Sequence, residues 1–319
     1  MKKTIIIRHE RPEWSDMYVE QLTNIFPALD LRAAYSLDDA FALAPDAHVI
    51  VGIGPQMPPA LIAAMPNLEW IQSLTTGLDN FVRMKELPPD VPVSKVSGVQ
   101  GPQVSELALL MMMTLARRLP DMLEAQSQAR WARNLQPVLY GKTLCILGLG
   151  SISETLARYA ATMGMTVTGV SDGRESAPNV ARIFKRAELL QAAREADFLV
   201  VLVPLSENTR HIIDTDVISA MKPTAFLINV ARGGCVDESA LIKALNSGDI
   251  AGAGLDVFET EPLAADDPMW TAPNVILTPH IGGFADIYGE QCLPTVIENM
   301  KVYTASGAAA LKTALVRTS

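Results

Sequence analysis

Cysteine is scarce in this sequence, and the spacing of what is there excludes two classes of protein. Among 319 residues there are three cysteines, Cys145, Cys235 and Cys292, and no C-x-x-C pair. An odd, scattered set is unsuited to a disulfide-built secreted domain or to a cysteine-bound zinc. We therefore expect free thiols in a reducing cytoplasm, and no metal centre.

Positive charge and long apolar runs are also in short supply. The net charge is −9 and the isoelectric point is near 5.0, so we expect neither nucleic acid nor anionic membrane as a partner. The richest apolar run, 108–116, is far below the roughly 20 residues of a membrane span. The apolar start ends at Arg8, too early for a signal sequence. A small anionic substrate remains compatible with this charge, because a local arginine dominates within a Debye length of about 10 Å.

Short apolar segments typical of buried strands alternate with helical patterns along most of the sequence. In the first hundred residues, strands are predicted at 4–7, 49–53 and 70–73. The second series is predicted to place strands at 143–147, 166–170, 198–203, 225–229, 252–256 and 275–277. Alternation of this kind is typical of the α/β class with doubly wound parallel sheets.

Two domains are expected, because 319 residues exceed what one compact core usually holds. A proline-rich stretch at 87–92 marks a loop near the end of the first series. The final helical segment, 286–305, is predicted to return to that series. We therefore expect a discontinuous domain of 1–98 with 286–319, and a second domain of 99–285.

A glycine turn opens the second series. The strand at 143–147 leads directly into Gly148-Leu149-Gly150, and a helix pattern follows. Gly148 allows a sharp turn, Gly150 allows the backbone to approach a pyrophosphate, and the helix N-terminus offers free N–H groups. Ser153 stands where a third glycine is usual, and its small side chain still allows close packing. This order of strand, turn, helix and strand predicts a bound nicotinamide dinucleotide.

The end of the second strand bears on the form of the dinucleotide. An acidic residue there, about 20 residues after the glycines, usually binds the ribose 2′-OH. Asp172 is suited to a 2′-OH and Arg174 to a 2′-phosphate. The two interpretations compete, and both NAD and NADP stay open.

Four polar residues follow buried strands in the second half of the chain. Arg232 follows 225–229, and its planar guanidinium suits a carboxylate. Asp256 and Glu261 follow another strand, and His280 follows the last. A carboxylate beside an imidazole raises its pKa and orients the ring, as acid–base catalysis on a ketone requires. The remaining histidines lack such a pattern, and we expect structural or surface positions for them: His9, His48 and His211.

Taken together, these motifs resemble the D-isomer-specific 2-hydroxyacid dehydrogenase family. The similarity extends from about residue 49 to residue 300, and its most specific parts are the Arg, Glu-Pro and Pro-His motifs. The motifs that carry it are Gly148-x-Gly150, Pro204-Leu205-Ser206-x-x-Thr209, Asn229-Val230-Ala231-Arg232-Gly233, Gly254-Leu255-Asp256-Val257-Phe258-x-x-Glu261-Pro262 and Thr278-Pro279-His280-Ile281-Gly282.

The resemblance implies a role for each matching residue. Arg232 would clamp the substrate carboxylate, His280 would move the proton with Glu261 as its partner, and Asp256 would hold the nicotinamide carboxamide. The implied cofactor-binding residues are Gly148, Gly150, Ser151, Ile152, Ser171, Asp172, Arg174, Pro204, Thr209, Val230, Ala231, Asp256 and Gly282. The implied substrate-binding residues are Gly54, Thr76, Gly77, Arg232 and Trp270, with a core position as the alternative for Trp270.

The fold and the assembly follow from the same resemblance. It implies a Rossmann dinucleotide-binding domain, a flavodoxin-like substrate domain completed by the C-terminal helix, and a homodimer. The segment 121–136 is then interpreted as a dimer arm, with a solvated helix as the alternative. The alignment with the family places Ser171, and not Asp172, at the position of the family's ribose-binding acidic residue. The choice between NAD and NADP therefore stays open.

The activity implied is reduction of a small 2-oxo acid, such as glyoxylate, hydroxypyruvate or pyruvate, to the D-2-hydroxy acid. Two alternatives remain. A phosphite dehydrogenase keeps the same trio of Arg232, Glu261 and His280. A non-catalytic, dinucleotide-sensing protein of this fold can retain that trio as well.

Overall fold

The computed structural model describes residues 2–82 and 84–315, which form two compact units. Unit 1 contains residues 2–99 and 286–315, and unit 2 contains residues 100–285. The predicted boundaries at 98/99 and 285/286 lie within one residue of this division, and the termini of the predicted first domain extend beyond the described residues. Their assignment as substrate and dinucleotide domains stays a prediction.

Unit 1 is a five-stranded parallel sheet with helices on both faces. The strands run in the order β2-β1-β3-β4-β5, and every pairing is parallel. Its elements are β1 (Thr4–Arg8), α1 (Pro12–Ile25), β2 (Asp30–Ala34), α2 (Leu37–Leu43), β3 (Ala47–Gly52), α3 (Pro59–Ala63), β4 (Trp70–Ser73), α4 (Asp79–Val82), β5 (Val93–Lys95) and, after unit 2, α11 (Tyr288–Ser306).

The central strands of unit 1 are apolar throughout because helices cover both faces of the sheet. All five residues of β1 are buried. The long C-terminal helix α11 packs beside α1 in one of the two cores. The Tyr18 hydroxyl donates a hydrogen bond to the Gly289 carbonyl at 2.8 Å, and Trp14 packs so closely on Gly289 that a Cβ there would lie 2.9 Å from the indole. Residues separated by most of the sequence therefore share a core.

Unit 2 is a seven-stranded parallel sheet, also covered on both faces. Its strand order is β12-β11-β10-β9-β6-β7-β8. Its elements are α5 (Gly101–Ala116), α6 (Leu119–Ser127), β6 (Thr143–Leu147), α7 (Ser151–Thr162), β7 (Thr166–Val170), β8 (Arg182–Phe184), α8 (Leu189–Glu195), β9 (Phe198–Val201), α9 (Thr215–Ala220), β10 (Phe226–Asn229), α10 (Glu238–Ser247), β11 (Gly252–Leu255) and β12 (Val275–Leu277).

The strand order of unit 2 reverses direction between β6 and β9, which lie side by side. Open parallel sheets bind ligands outside the carboxyl ends of the strands at such a reversal. In unit 1 the corresponding reversal lies between β1 and β3. The prediction of two doubly wound parallel sheets, one Rossmann-like and one flavodoxin-like, is confirmed.

The sequence patterns missed three strands, and all three lie at or beside a sheet edge. Two of them, β2 and β8, carry charged residues and are partly exposed, and β5 is three residues long. Short, polar edge strands lack the continuous apolar run of a central strand. Within the described residues, no helix is both long and apolar enough to cross a bilayer.

Candidate active site

The glycine turn after β6 leaves little room around one glycine and open space around the other. Gly148 has φ +100°, and a Cβ there would lie 2.9 Å from the carbonyl carbon of Leu202. Both features exclude side chains at that position. A Cβ on Gly150 would meet no atom of the described residues within 4 Å. Ser153 is buried, and its hydroxyl donates to the Gly150 carbonyl at 2.6 Å, so a serine fits where a third glycine was expected.

The first turn of α7 is suited to a pyrophosphate. Its N-cap is Gly150, which has no side chain to occupy the free N–H groups of Ser151 and Ile152. Those groups and the positive end of the helix dipole adjoin the open space beside Gly150. The residues present therefore fit the phosphates of a dinucleotide.

The residues after β7 are tied to their neighbours in a way the sequence did not indicate. The main chain of Ser171 donates to the Phe184 carbonyl at 3.0 Å, which joins the ends of β7 and β8. Asp172 accepts the Arg186 N–H at 2.9 Å, and the Arg186 guanidinium lies 3.5 Å from its carboxylate. Arg174 forms an ion pair with Glu154, in the first turn of α7. Both candidates for the ribose end thus have partners of opposite charge.

A second loop, after β9, is closed by a threonine. Thr209 is buried, and its hydroxyl donates to the Pro204 carbonyl at 2.6 Å while accepting the Ser206 N–H at 2.7 Å. The hydroxyl is therefore used to shape the loop. A role for Pro204 and Thr209 at a dinucleotide stays a prediction.

Arg232 is presented by a loop that Asn229 shapes. The Asn229 side chain accepts the Ala231 N–H at 3.1 Å and donates to the Arg232 carbonyl at 2.9 Å. These two hydrogen bonds fix the short turn that contains Val230 and Ala231, two of the expected cofactor-binding residues. Sequence reasoning missed the function of Asn229, although a buried asparagine at a strand end is a signal for such a turn.

Asp256 holds the loop that carries His280. Its carboxylate accepts the main-chain N–H groups of Ile281 and Gly282 at 2.9 and 2.8 Å and the Thr278 hydroxyl at 2.5 Å. The side chain is almost fully buried, so these hydrogen bonds replace water around the charge. A Cβ on Gly282 would lie 2.9 Å from the same carboxylate, which explains the glycine there. Contact of Asp256 or Gly282 with a nicotinamide stays a prediction.

His280 and Glu261 form the expected pair. The imidazole Nδ1 lies 2.7 Å from Glu261 Oε2, and Glu261 Oε1 accepts the Phe258 N–H at 3.0 Å. His280 has φ +54°, and its own N–H donates to the Asp256 carbonyl at 2.8 Å. Because Nδ1–H donates to the carboxylate, Nε2 is the ring nitrogen left to face a substrate.

The pair shifts both proton affinities. The hydrogen bond to Glu261 raises the pKa of the His280 imidazole above its ordinary value, against the opposing effects of burial and of Arg232. Burial raises the pKa of the Glu261 carboxyl, but its hydrogen bonds with His280 and with the Phe258 N–H outweigh burial and leave that pKa below its ordinary value. This arrangement favours an imidazolium beside a carboxylate.

Three neighbouring strands supply these groups. Arg232 follows β10, Asp256 follows β11 and His280 follows β12, and these strands lie next to one another in the sheet. The carboxyl ends of parallel strands meet at one edge, so the three loops share it. Among the described residues, no cluster of His, Cys, Asp and Glu is arranged to hold a metal ion.

The expected substrate-binding residues are divided between the units. In unit 2, Trp270 is 54% exposed and its indole N–H donates to the Ala264 carbonyl at 2.8 Å, so it is not a core residue. In unit 1, Gly54 follows β3, and its carbonyl accepts the Asn80 side chain at 2.8 Å. Thr76 and Gly77 follow β4. Their roles toward a substrate stay predictions.

Comparisons with known proteins identify the family of this chain. The family model described as D-isomer specific 2-hydroxyacid dehydrogenase, NAD binding domain, matches residues 109–282, more than half of the chain. A glyoxylate/hydroxypyruvate reductase B from Klebsiella pneumoniae is 32% identical over 289 residues, covering 88% of this chain and 89% of the relative.

Solved structures show the same similarity. A D-isomer specific 2-hydroxyacid dehydrogenase family protein from Aeromonas salmonicida matches with a TM-score of 0.87 and 31% identity, covering 95% of this chain and 96% of that chain. An NADPH-dependent glyoxylate/hydroxypyruvate reductase from Sinorhizobium meliloti, solved with NADP and sulfate, matches with a TM-score of 0.80 and 26% identity, covering 97% of this chain and 100% of that chain.

The chain therefore belongs to the D-isomer specific 2-hydroxyacid dehydrogenase family. It is an NAD(P)-dependent oxidoreductase, and NAD or NADP is its cofactor.

Proposed function

We propose that the protein reduces a small 2-oxo acid of the glyoxylate, hydroxypyruvate or pyruvate type to the D-2-hydroxy acid. The observation that carries the proposal is the 2.7 Å contact between His280 Nδ1 and Glu261 Oε2, at the sheet edge where the loop that carries Arg232 also lies. Curated relatives named glyoxylate/hydroxypyruvate reductase support the substrate class.

The roles of the three side chains follow from their chemistry. The Arg232 guanidinium binds the substrate carboxylate through two N–H groups and keeps the 2-oxo group near the imidazole. The imidazolium of His280 donates its Nε2 proton to the oxo oxygen, and the Glu261 carboxylate stabilises the charged ring beforehand. The bound reduced nicotinamide would supply a hydride to the substrate C2. In the reverse direction, neutral His280 accepts the hydroxyl proton.

The panel that tests this proposal pairs NADH and NADPH with glyoxylate, hydroxypyruvate, pyruvate and longer 2-oxo acids, and oxidised cofactor with phosphite. Cofactor absorbance reports turnover in every well. We expect oxidation with the small 2-oxo acids and none with phosphite. Turnover with phosphite alone would instead favour the phosphite dehydrogenase alternative. No turnover at all, with retained dinucleotide binding, would favour the sensing alternative.

We further propose that NADPH is preferred to NADH. Ser171 brings no carboxylate to repel a 2′-phosphate, and the Asp172 carboxylate is bound by Arg186. Arg174 lies in the same segment, where a 2′-phosphate would compete with Glu154 for its guanidinium. The S. meliloti reductase is NADPH-dependent. The ratio of kcat/KM for the two cofactors tests this, and a ratio favouring NADH would contradict it.

A homodimer in a reducing cytoplasm completes the proposal. Unit 2 exposes large apolar side chains along α5, α6 and the following loop, which is unusual for a surface that stays in water. Trp131 is 91% exposed and Leu135 is fully exposed. Light scattering of the wild type and of a Trp131→Ser, Leu135→Ser double variant tests the assembly. A monomeric wild type would contradict it. The three buried, free cysteines support the reducing compartment.

A further inference from the structure

Three segments of unit 2 meet at Glu259, a residue that the proposed reaction does not use. Glu259 Oε1 lies 3.2 Å from Arg210 Nη1 and 2.7 Å from His211 Nε2. The main-chain N–H of Glu259 donates to Glu238 Oε1 at 2.7 Å. Glu259 thus joins the segment after β9, the start of α10 and the loop after β11. We call these four residues the Glu259 clasp.

Two of the segments joined by the Glu259 clasp adjoin proposed catalytic side chains: the loop that leads to Glu238 carries Arg232, and the loop after β11 carries Glu261. A Cβ on Gly233, next to Arg232, would lie 1.8 Å from the Phe258 carbonyl carbon and 2.3 Å from the Glu259 nitrogen. The two loops are therefore in direct backbone contact. Glu261 follows two residues after Glu259, and its Oε1 accepts the Phe258 N–H. A shift of the Phe258–Glu259 peptide would move both catalytic side chains.

The segment that supplies Arg210 and His211 is itself hydrogen-bonded to the loop after Arg232. The His211 N–H donates to the Gly234 carbonyl at 2.8 Å, and the Ile213 N–H donates to the Cys235 carbonyl at 3.0 Å. His211 adopts a left-handed conformation with φ +49°. These main-chain hydrogen bonds fix the position of the His211 backbone, from which the imidazole reaches Glu259.

We propose that Glu259, bound by Arg210 and His211, is a positioning residue that fixes the Glu261 carboxylate against His280. The inference rests on the proposed function of that pair. It gives Arg210 and His211 a role in positioning Glu259. The sequence motifs had suggested no function for either residue.

A purely structural role predicts a different balance of effects. The side chains of Arg210, His211 and Glu259 are 57%, 41% and 34% exposed, and exposed ion pairs contribute little to folding. A displacement of about 1 Å at a catalytic group, in contrast, can lower a rate by roughly 100-fold. Removal of Glu259 should therefore lower the rate far more than it lowers thermal stability.

The proton affinity of His280 gives a second, independent readout. The charged groups that face this imidazole are Glu261, Asp256 and Arg232, and the hydrogen bond that the ring donates to Glu261 is the main cause of its raised pKa. A loosened Glu261 therefore lowers the pKa of His280. Because reduction needs the imidazolium, the alkaline limb of the rate profile then moves to lower pH.

The experiment compares Glu259→Ala with the wild type at full length, measuring kcat, KM for glyoxylate and NADPH, the pH profile and Tm. We expect kcat to fall about tenfold, the alkaline limb to move to lower pH, and KM for NADPH and Tm to change little. Glu259→Gln keeps an oxygen acceptor and should recover most of kcat. As a matched control, Glu195→Ala removes an exposed pair with Arg182 and should leave kcat unchanged.

A titration without substrate separates this inference from the proposed function. The pKa of His280 is read by NMR, with the signal assigned through His280→Asn. A lower midpoint in Glu259→Ala supports positioning even if the wild type reduces no 2-oxo acid, in which case only the proposed function fails. An unchanged midpoint overturns the inference, as does a kcat loss matched by lost folding. Should Glu259→Ala not fold, His211→Ala and Arg210→Ala carry the same test.

Discussion

Each unit has a histidine shortly after the end of a parallel strand, and the pKa values of the two imidazoles are shifted in opposite directions. His9 follows β1 in unit 1 and is 1% exposed. Burial, aided by the charges of Arg11 and Arg8, lowers its pKa to about 4. His280 follows β12 in unit 2, and its hydrogen bond to Glu261 raises its pKa.

The difference lies in the partners of each ring. His9 Nδ1 accepts the Arg11 N–H at 2.9 Å, its ring packs 4.4 Å from Trp14, and its Nε2 is buried without a hydrogen-bond partner among the described residues. Among the residues that the structure describes, no carboxylate hydrogen-bonds to that ring, so protonation would leave a buried charge uncompensated. In His280, Nδ1 is hydrogen-bonded to the Glu261 carboxylate, and Nε2 is the nitrogen proposed to exchange a proton with the substrate. We therefore expect the carboxylate partner, and not the strand-end position, to distinguish the proposed acid–base histidine from the core histidine.

The largest expected effect comes from His280→Asn. Turnover should fall by about 100-fold to 10,000-fold, because the variant cannot donate a proton to the substrate oxygen. NADPH affinity, measured by fluorescence titration, should stay near that of the wild type. His9→Asn is the matched control, since its side-chain oxygen can still accept the Arg11 N–H, and it should keep turnover at 25 °C. Near-normal activity of His280→Asn would break the comparison.

Arg232→Ala should come next. Loss of a two-point contact with the substrate carboxylate should raise KM for glyoxylate and lower kcat, for a combined loss in kcat/KM of about 100-fold. Arg182→Ala, which removes an exposed arginine paired with Glu195, is the control and should be silent. Unchanged KM and kcat in Arg232→Ala would exclude the clamp.

Glu261→Gln sharpens the comparison by making His280 more like His9. Without the carboxylate, the pKa of His280 should fall, and the alkaline limb of reduction should move to lower pH. We expect kcat near pH 7 to fall about tenfold. A profile that keeps its alkaline limb would show that the carboxylate does not set the proton affinity of the imidazole.

The last prediction concerns folding stability and not turnover. His9 binds its proton more tightly in the unfolded chain, so its contribution falls as pH drops from about 6.5 toward 4, by up to about 3 kcal/mol. The raised pKa of His280 acts in the opposite sense, because its contribution is complete below the unfolded pKa and is lost as pH rises through the folded one. Urea unfolding at several pH values measures both. His9→Asn should flatten the acid-side slope, and an unaltered slope would contradict this assignment.

The predictable parts of the fold were those that a short stretch of sequence encodes by itself. The strand β6 and the turn at Gly148 and Gly150 were predictable because a buried apolar run leads directly into two glycines. Glycines in that position indicate a sharp turn of the backbone. The edge strands β2 and β8 were not, because pairing with a neighbour, and not their own apolar character, makes them strands.

In the site, the polar residues were predictable and most of their partners were not. The pair of Glu261 and His280 follows from two motifs. The partners of Asp256, in contrast, are chiefly main-chain N–H groups, which leave no trace in residue identity. The Glu259 clasp was missed for a similar reason, although Arg210-His211 and a second carboxylate two residues before Glu261 were visible.

The burial of the three thiols has a practical consequence. Burial raises the pKa of Cys145 and Cys292 to about 12 and that of Cys235 to about 11, so the native protein offers a thiol reagent almost no thiolate. Labelling must therefore await local opening. Cys292 lies in unit 1, and Cys145 and Cys235 lie in unit 2. The labelling rate of each cysteine therefore reports how often its own unit opens. Mass spectrometry of each labelled cysteine can compare the opening of one unit with that of the other.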